Sequence, residues 1–442
     1  MPGVGSDLDV RILHDPDRGG SLTWALVDAE NFYVSCERVF DPRLRGVPLV
    51  VLSNNDRCCI SRSSEAKAMG VSMGYPLSRM GDVPGGSTIM TRSSNYELYA
   101  DMNRRLNQVL RRHSETVEVY SIDESFVGVA ALRDGRGDRD LGALIRRDVM
   151  LHTGLPVRVG LGPTRTLAKI ANAMAKKGVG GDDGVADLHP RSERERLLAR
   201  WPAREVWGVA EATAARLAAA DVLTALDIAR MDPHHARSIG TVVLERMVRE
   251  IAGEPCDDPS LHPAARGTAS ASRQTGTPVT DADALHEAIC RRIMDASAKL
   301  RNEDLQAGRL VVFAHGSERA YRPPDWCLSS PLDPPTADPR PMATIARAMV
   351  GAVFRPHHAY TKTGVILEDL SPAGSGQLSL LTQTEDPRSS ALVEAMDSIN
   401  ARFGRGTATI AAAGIGARPS DTKRDRLSPH WTTRISDVPE AR

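Results

Sequence analysis

The sequence lacks long apolar runs, and none approaches the roughly 18 residues that a membrane-spanning helix needs. Its six cysteines show no C-x-x-C spacing, which argues against a zinc site or a secreted disulfide framework and favours a reducing compartment. The formal net charge is zero, so a surface that binds nucleic acid would have to be a local groove. These absences predict a cytoplasmic protein that does not enter a membrane.

Aromatic residues make up only 4% of the chain, so the adjacent pair Phe32-Tyr33 stands out. The 442 residues are too many for one hydrophobic core and predict roughly two to four domains. A hydrophobic content of 41% and a charged content of 25% are ordinary for a globular protein. Composition therefore predicts a multidomain globular chain and leaves its function to the motifs.

Residues 22–190 alternate β-prone and helical segments, which predicts an α+β or α/β unit built on a sheet. Runs rich in Val and Leu predict strands at 22–27, 48–53, 116–122 and 157–162. Apolar residues at helical spacing predict helices at 63–69, 96–113, 141–151 and 166–177.

The rest of the chain changes character several times. Residues 191–253 show helical patterns rich in Ala, Leu and Arg, and 254–267 hold three prolines, which is typical of an exposed linker. Strand and helix patterns return at 268–370 and predict a second α+β domain. The charged, Gly- and Pro-punctuated residues 1–21 predict a disordered extension, and 371–442 predict a loop-rich tail.

The most informative feature is the dipeptide Asp123-Glu124, which follows an apolar, β-prone run. Either carboxylate would be costly to bury alone, so the pair must meet water, a basic side chain or a cation. Asp28 repeats the pattern at the end of Trp24-Ala-Leu-Val-Asp28. Carboxylates at the ends of two strands can converge on Mg²⁺, which prefers a few carboxylates together with phosphate oxygens. The pattern predicts a nucleotidyl-transfer site with two Mg²⁺ ions, one activating a hydroxyl and one stabilising pyrophosphate.

The same residues also fit a purely structural interpretation. Asp123-Glu124 would then start a hairpin turn, and Asp28 would cap a helix. On the pattern alone, the two interpretations are about equally favoured.

A second motif, Ser61-Arg-Ser-Ser-Glu-Ala-Lys67, predicts a helix that opens with hydroxyl side chains. A helix N-terminus offers free N–H groups and a positive dipole end to phosphate. Ser61, Ser64 and Lys67 would share one helical face, and Lys176 could supply a second cation. An ordinary capped helix with solvated lysines is the stronger interpretation of either segment alone.

The segment Trp207-Gly-Val-Ala210 lies among helical patterns at 197–229. Two short helices joined at a Gly-containing turn resemble a helix-hairpin-helix, whose backbone N–H groups bind DNA phosphates without reading the sequence. The usual Gly-x-Gly is here Gly208-Val209-Ala210, so one glycine is missing. A plain helical bundle remains the alternative.

The peptide Gln377-Leu-Ser-Leu-Leu381 lies in a Gly-, Ser- and Pro-rich context. Its leucines, Leu378, Leu380 and Leu381, would form an exposed apolar patch without a partner. This predicts a linear peptide that docks in the groove of another protein. The alternative is a short strand that covers the preceding domain.

The order of these motifs resembles the Y-family translesion DNA polymerases, and most closely the UmuC-type catalytic subunits of bacterial DNA polymerase V. The resemblance extends from about residue 24 to residue 438. The stretches that carry it are Asp28-Ala-Glu-Asn-Phe-Tyr-Val-Ser-Cys-Glu37, Val50-Val-Leu-Ser-Asn-Asn-Asp56, Ser93-Ser-Asn-Tyr-Glu-Leu-Tyr-Ala-Asp-Met102, Tyr120-Ser-Ile-Asp-Glu124, Leu167-Ala-Lys-Ile-Ala-Asn172 and Leu427-Ser-Pro-His-Trp-Thr-Thr-Arg434.

The resemblance implies an α+β multidomain fold shaped like a right hand. Palm and fingers would occupy residues 22–190, a helical thumb 191–253 and an α+β little finger 268–370. The tail at 371–442 would contain the partner-binding peptide and a UmuC-type C-terminal region. The resemblance implies four metal ligands, which are the backbone carbonyl of Ala29 and the side-chain carboxylates of Asp28, Asp123 and Glu124.

The resemblance also implies how the nucleotide is held. Tyr33 would be the aromatic steric gate that excludes a ribose 2′-hydroxyl, with Phe32 beside it under the incoming nucleotide. The family more often carries Tyr and Arg where this chain has Ser64 and Lys67, so a bidentate Arg contact is lost. The positions that would hold the triphosphate are Ser61, Ser64, Lys67 and Lys176.

The function implied is error-prone, template-directed DNA synthesis past damaged bases in the bacterial SOS response. Implied partners are primer–template DNA with dNTPs, a UmuD-like subunit, RecA and the sliding clamp. The clamp would bind Gln377, Leu378, Leu380 and Leu381. Two alternatives stay open: a catalytically inactive, polymerase-like adaptor that recruits other factors to the clamp, and a DinB-like polymerase that acts alone.

Overall fold

The computed structural model describes most of the chain. The predicted disordered extension at 1–21 and the predicted partner-binding peptide at 377–381 lie outside the described residues, as does most of the predicted linker at 254–267. The described residues are 22–130, 139–256, 267–316, 326–356, 358–375, 387–404, 406–415, 423–432 and 434–438.

The described residues form two units. The first contains residues up to 53, 57–256 and those from 426 onward, and the second contains 54–56 and 267–425. Both units combine helices with sheets, as an α+β multidomain chain requires. In the described ranges, no helix is both long enough and apolar enough to span a bilayer.

The strands of the first unit are β1 (Leu22–Ala29), β2 (Leu49–Leu52), β3 (Cys59–Arg62), β4 (Met90–Ser93), β5 (Val117–Val119), β6 (Glu124–Ala130), β7 (Val157–Gly162) and β8 (Val185–Asp187). They form a five-stranded sheet with the order β5-β6-β1-β7-β8 and a three-stranded sheet with the order β3-β2-β4. In the larger sheet β1 is central and runs antiparallel to both β6 and β7.

The first five helices are α1 (Phe32–Phe40), α2 (Ser64–Ala68), α3 (Tyr96–Leu110), α4 (Arg139–Thr153) and α5 (Arg165–Lys176). Helical spacing predicts α2 to α5, with boundaries that differ by a few residues. Apolar runs predict β1, β2, β5 and β7. The strands β3, β4, β6 and β8 are not predicted, and β6 differs from the predicted strands in that it begins at a carboxylate.

Helices cover both faces of the larger sheet. Alternate residues of a strand face opposite sides, and Ala25 and Val27 of β1 pack in a core that contains α3 and α4 residues. Trp24 and Leu26 point the other way and pack with Ala168 of α5. Because both faces are buried, β1 has a continuous apolar sequence rather than an alternating one.

Gly160 in β7 allows α5 to lie close to this sheet. A Cβ atom at this position would lie 2.1 Å from the backbone N of Asn172 and 2.3 Å from the backbone O of Ala168. The Asn172 side chain donates hydrogen bonds to the carbonyls of Leu26 (3.3 Å) and Arg158 (3.0 Å). These contacts fix the position of α5 over the end of β1.

Residues 191–252 are helical, as predicted. Their helices are α6 (Arg191–Leu198), α7 (Glu211–Ala219), α8 (Ala225–Ala229), α9 (Pro233–Ile239) and α10 (Val242–Ala252). Gly208 (φ 89°) lies in the turn before α7, as a hairpin requires. The element before that turn is a 3₁₀ helix at Ala203–Glu205 rather than an α-helix, so the predicted pair of helices is correct for only one member.

The second unit contains β9 (Ala269–Val279), α11 (Ala282–Arg301), β10 (Leu305–Gly316), β11 (Trp326–Thr336), α12 (Pro339–Val353), β12 (Tyr360–Pro372) and α13 (Pro387–Phe403). Its antiparallel sheet has the order β11-β10-β12-β9. Leu310 and Val312 of β10 pack in a core with residues of α11 and α12. Phe313, His315 and Lys362 lie on the opposite face.

The tail predicted to be loop-rich at 371–442 contains a 17-residue helix, α13, so this prediction is wrong in part. Arg301 of α11 binds Asp397 of α13 through two hydrogen bonds, Nε to Oδ2 at 2.6 Å and Nη2 to Oδ1 at 2.8 Å. Arg291 Nε donates to the carbonyl of Ala413 at 2.9 Å. Apolar periodicity around α13 is weak, which explains why the sequence pattern did not reveal it.

Candidate active site

Asp28 lies at the end of the central strand, between Glu124 and Arg158. In the two antiparallel ladders it is directly opposite Glu124 of β6 on one side and Arg158 of β7 on the other. Directly opposite residues project to the same face of a sheet, and this face is the one that α5 covers. The structure therefore brings the Asp28 and Glu124 carboxylates together.

Asp123 and Glu124 belong to different elements. The expectation that both follow the end of a strand is wrong, because Glu124 is the first residue of β6 and Asp123 lies in the turn between β5 and β6. The Ser121 hydroxyl donates to Asp123 Oδ1 (2.6 Å) and accepts from the N–H groups of Asp123 (3.3 Å) and Glu124 (3.1 Å). The dipeptide is thus part of a hairpin turn, and this turn brings Asp123 to the cavity that Asp28 lines.

Two lysines of α5 neutralise the carboxylate pair. Lys176 Nζ lies 2.6 Å from Asp28 Oδ2, and Lys169 Nζ lies 3.0 Å from Glu124 Oε2. The lysines are about two helical turns apart and so occupy the same face of α5. Sequence reasoning selected Lys176 and missed Lys169, although their spacing was a usable signal.

The electrostatics of the pair differ between its members. Burial raises the pKa of Asp28 to about 7, with Lys176 opposing and Glu124 adding to this effect. Burial would also raise the pKa of Glu124, but hydrogen bonding with Asp28 and Lys169 outweighs burial and lowers it. The pKa values of the two carboxylates are therefore shifted in opposite directions.

Two aromatic rings hold Lys169 beside Glu124. Its Nζ lies 3.8 Å from the centroid of the Tyr120 ring and 4.6 Å from that of the Trp207 ring. The rings meet edge to face with centroids 5.9 Å apart. Cation–π contacts of this kind contribute ~0.5–2 kcal/mol. Trp207 therefore has a contact near the carboxylates, a role that its sequence context did not suggest.

Among the described residues, no group of three or more His, Cys, Asp or Glu side chains is arranged to hold a metal ion. The carboxylate oxygens have other partners: Lys176 donates to Asp28, Lys169 donates to Glu124 and the Ser121 hydroxyl donates to Asp123. Ala29, the predicted carbonyl ligand, lines the same cavity as Asp28. Asp28, Asp123 and Ala29 thus line one cavity at the end of β1.

A cavity of about 610 Å³ opens at this strand end. Its volume is typical of a site for a small molecule. Arg158 Nε pairs with Glu30 Oε1 at 2.8 Å. Cations exceed carboxylates in the lining, which favours an anionic ligand. The charged residues that line it are Asp28, Glu30, Asp123, Arg62, Lys67, Arg158 and Lys176.

Ser61, Ser64 and Lys67 all line this cavity, but not from one helical face as expected. Ser61 belongs to the strand β3, and α2 begins at Ser64 with Ser63 as its N-cap. Lys67 Nζ donates to Asn31 Oδ1 at 2.6 Å. Partial burial, and then the nearby Arg62, lowers the pKa of Lys67. The negative charge of a bound anion would oppose this lowering of the Lys67 pKa.

An aromatic cluster forms the wall of the cavity beside these groups. Phe32 and Tyr33 line the cavity from the first turn of α1. The Tyr33 ring stacks on Tyr99 of α3, with centroids 4.4 Å apart and an interplanar angle of 17°, and meets Tyr96 edge to face. Burial raises the pKa of Tyr33 to about 12, so the phenol stays neutral.

Besides Lys169, sequence reasoning missed several residues that line the cavity. Asn31 has a left-handed backbone (φ 48°) before α1, which asparagine tolerates better than most residues. Its position in the motif Ala29-Glu-Asn-Phe32 was a signal, but its contact with Lys67 depends on long-range packing. The Arg158–Glu30 pair had a weaker signal, a single polar residue inside the apolar strand β7.

Family models match most of the chain. The model described as the impB/mucB/samB family matches residues 27–173, and that of the family's C-terminal domain matches residues 266–380. A third model, described as a domain of unknown function (DUF4113), matches residues 390–441.

A curated relative is similar from end to end. Protein UmuC of Salmonella typhimurium is 39% identical over 418 residues, which cover 94% of this chain and 99% of that protein. DNA polymerase IV of Corynebacterium diphtheriae is 32% identical over 251 residues, which cover 55% of this chain and 53% of that protein. Similarity to the second protein is thus limited to about half of each chain.

Among solved structures, a Y-family DNA polymerase chimera, Dbh-Dpo4(243-245)-Dbh, matches with a TM-score of 0.62 at 19% sequence identity. The match covers 78% of this chain and 98% of that chain. At this identity the likeness shows the fold alone, and it confirms the predicted α+β multidomain fold of the right-hand polymerases.

Proposed function

Because the chain belongs to the impB/mucB/samB family and is a Y-family DNA-directed DNA polymerase, we propose that it performs error-prone translesion synthesis in the SOS response. The reaction is in-line attack of the primer 3′-hydroxyl on the α-phosphate of a dNTP. One observation carries this proposal. Asp28 and Glu124 lie side by side at the end of β1, the strand that helices cover on both faces, next to a cavity rich in cationic side chains.

We propose a pair of Mg²⁺ ions as the cofactor, on the chemistry of the oxygen donors at this strand end. Asp28 is only 4% exposed and lies directly opposite a second carboxylate, so a divalent cation bound there would offset the charge of both. Asp123 and the Ala29 carbonyl line the same cavity and would complete the ligands. When bound, such ions supply activation of the attacking hydroxyl and neutralisation of the leaving pyrophosphate.

The triphosphate would lie against the basic side of the cavity. Lys67 and Lys176 provide ammonium groups, and Ser61 and Ser64 provide hydroxyl donors. Lys176 is also the partner of Asp28, so binding of phosphate would draw this lysine away from the carboxylate. These residues bind and orient the dNTP, and Lys176 neutralises whichever anion faces it.

Tyr33 is proposed as the steric gate for the sugar. Its ring faces the cavity and is held by Tyr99 and Tyr96, so it can exclude a 2′-hydroxyl by contact. Tyr33→Ala should raise ribonucleotide incorporation far more than it lowers dNTP incorporation. Single-nucleotide insertion with matched rNTP and dNTP measures this ratio. Tyr33→Phe, which keeps the ring, is the control, and an unchanged ratio in Tyr33→Ala would remove the gate assignment.

The proposed activity is tested by primer extension on damaged and undamaged templates, with and without a UmuD-like subunit. Extension past a lesion is the expected result. Absence of extension on every template, by protein that still binds DNA, would favour the alternative of an inactive adaptor. The presence of all three carboxylates argues against that alternative. Similarity over 94% of the chain to UmuC, against 55% to DNA polymerase IV, argues against a DinB-like stand-alone enzyme.

The proposed setting is the cytoplasm, with a UmuD-like subunit, RecA and the sliding clamp as partners. The clamp would bind the peptide at 377–381, through hydrogen bonds of Gln377 and burial of Leu378, Leu380 and Leu381. Burying two leucines contributes roughly 3–6 kcal/mol before ordering costs, which is enough for a transient interaction.

Deletion of residues 377–381 should weaken clamp binding and clamp-stimulated synthesis but spare extension of short primers without the clamp. Tethering raises the local concentration of enzyme at the primer end without changing the active site. A pull-down with purified clamp, together with extension assays with and without it, measures both effects. Clamp binding that survives the deletion would contradict this proposal and favour the alternative of a short strand that covers the preceding domain.

A further inference from the structure

The C-terminal segment 426–432, which lies inside the region matched by the domain of unknown function, docks on the first unit. The Ser93 N–H donates to the Arg426 carbonyl (3.0 Å), and the Arg426 N–H donates to Ser93 Oγ (2.9 Å). Trp431 stacks on Phe40 at the end of α1, with ring centroids 6.1 Å apart and an interplanar angle of 7°. The segment is therefore anchored on both sides of its centre.

Ser428 lies at that centre and is 5% exposed. Its hydroxyl donates to Glu37 Oε1 of α1 at 3.1 Å and accepts from Asn95 Nδ2 at 3.0 Å. Asn95 is the N-cap of α3, where its side chain accepts from the Leu98 N–H at 3.2 Å. One hydroxyl group thus joins a carboxylate of α1 to the beginning of α3.

Glu37 carries this connection to the aromatic cluster. It is 1% exposed, and its Oε1 accepts a second hydrogen bond from the Tyr99 hydroxyl at 2.8 Å. Burial raises the pKa of Glu37, and the hydrogen bonds from Tyr99 and Ser428 oppose that rise. Tyr99 is fully buried, and its ring is the one on which Tyr33 stacks.

We propose that Ser428 is a positioning residue for the Tyr33 ring, acting through Glu37 and Tyr99, and that the C-terminal segment thereby sharpens discrimination between dNTP and rNTP. This inference rests on the proposed role of Tyr33. A ring pressed against a hydrogen-bonded tyrosine has little freedom to tilt. Removal of either hydroxyl leaves the buried Glu37 carboxylate with one donor fewer, so Tyr99, and the Tyr33 ring stacked on it, gain freedom. A tilted Tyr33 ring leaves room for a 2′-hydroxyl.

The experiment compares Ser428→Ala and Tyr99→Phe with the matched control Ser436→Ala in the full-length protein. Ser436 is an exposed serine of the same C-terminal region whose hydroxyl donates to the neighbouring Asp437. We expect both test variants to lower the dNTP/rNTP ratio of kcat/KM about tenfold, the factor that corresponds to one hydrogen bond to a charged group. The change should come from faster rNTP insertion, and Ser436→Ala should match the parent.

Tyr33→Ala, measured in parallel, distinguishes a failure of the steric gate from a failure of the positioning role of Ser428. If it lowers the ratio while Ser428→Ala and Tyr99→Phe do not, the positioning role is wrong and the steric gate stands. If it leaves the ratio unchanged, the gate assignment fails, and the inference that rests on it fails too.

A second readout does not depend on catalysis. In protein labelled with 3-fluorotyrosine, the ¹⁹F resonance of Tyr33 is assigned by its loss in Tyr33→Phe. Ser428→Ala should shift or broaden this resonance, whereas Ser436→Ala should not. A Tyr33 resonance that is identical in Ser428→Ala and in the parent would overturn the inference even if the variant were inactive.

Discussion

The central sheet of the first unit is covered by helices on both faces, whereas in the described part of the chain the sheet of the second unit has helices on one face. Consecutive residues of β1, such as Leu26 and Val27, are both fully buried because they pack on opposite sides. In β10, Val312 packs beneath helices, but the next residue, Phe313, lies on the other face, where it is only partly buried. The same type of element thus has two different environments.

This difference determines what a charged residue indicates. In the doubly covered sheet, Asp28 is buried enough to have a raised pKa and requires Lys176 as a partner. In the other sheet, Lys362 lies on the open face, with its Nζ 5.9 Å from the centroid of the Phe313 ring, where a charge costs little. A charge at the end of a continuous apolar run is therefore evidence for a site, and a charge within an alternating strand is not.

The largest expected effect comes from removing a carboxylate at the doubly covered strand end. Glu124→Gln and Asp123→Ala should lower incorporation about a thousandfold or more, equivalent to about 4 kcal/mol of lost transition-state stabilisation. DNA affinity should persist, because phosphate contacts supply most of it. Single-turnover insertion and fluorescence anisotropy measure the two quantities. The control is Glu368→Gln in β12, and equal activity of the two Gln variants would break the comparison.

A smaller effect is expected from adding a methyl group to a glycine in each sheet. At Gly160 the new Cβ would meet the backbone of α5, whereas at Gly364 its nearest contact, at 2.2 Å, would be the Phe313 ring on the open face. We expect Gly160→Ala to cost about 3 kcal/mol of unfolding free energy and Gly364→Ala about 1 kcal/mol. Chemical denaturation of both variants measures their free energies of unfolding and shows which substitution is more destabilising. Equal shifts of the unfolding midpoint would mean that coverage by helices does not control how well each sheet tolerates an added Cβ atom.

The smallest effect concerns the lysine–aromatic contacts of the two units. Trp207→Leu removes one ring from Lys169 and should lower incorporation about two- to fivefold, the equivalent of ~0.5–1 kcal/mol. Phe313→Leu removes the ring below Lys362 and should leave insertion from pre-bound DNA unchanged. Single-turnover rates at saturating DNA separate the variants. A larger loss in Phe313→Leu than in Trp207→Leu would contradict the proposed support of Glu124.

Much of the site was predictable because its signals are local. Asp28 and the Asp123-Glu124 pair stand next to apolar runs, and Phe32-Tyr33 is an aromatic pair in a chain with few aromatic residues. The helix face expected for Ser61, Ser64 and Lys67 was wrong, since Ser61 lies on a strand, yet all three reach one cavity. A strand and the helix that follows it can thus bring these side chains to one cavity, although their spacing indicated a single helix face.

Other residues gave a weak local signal or none. Apart from its spacing to Lys176, Lys169 looks like any solvated helical lysine until Tyr120, Trp207 and Glu124 surround it. Ser428 and Glu37 are separated by 391 residues, so no window of sequence contains their hydrogen bond. Such contacts arise from packing between elements.

The sequence by itself indicated many of the helices and strands and most of the residues proposed to carry the chemistry, because periodicity and side-chain type act over a few neighbouring residues. Only the tertiary structure decided that Asp28 stands opposite Glu124, that α5 brings two lysines to them, and that the C-terminal segment reaches α1. These relations depend on strand register and helix packing, whose energies come from contacts between residues far apart in the chain.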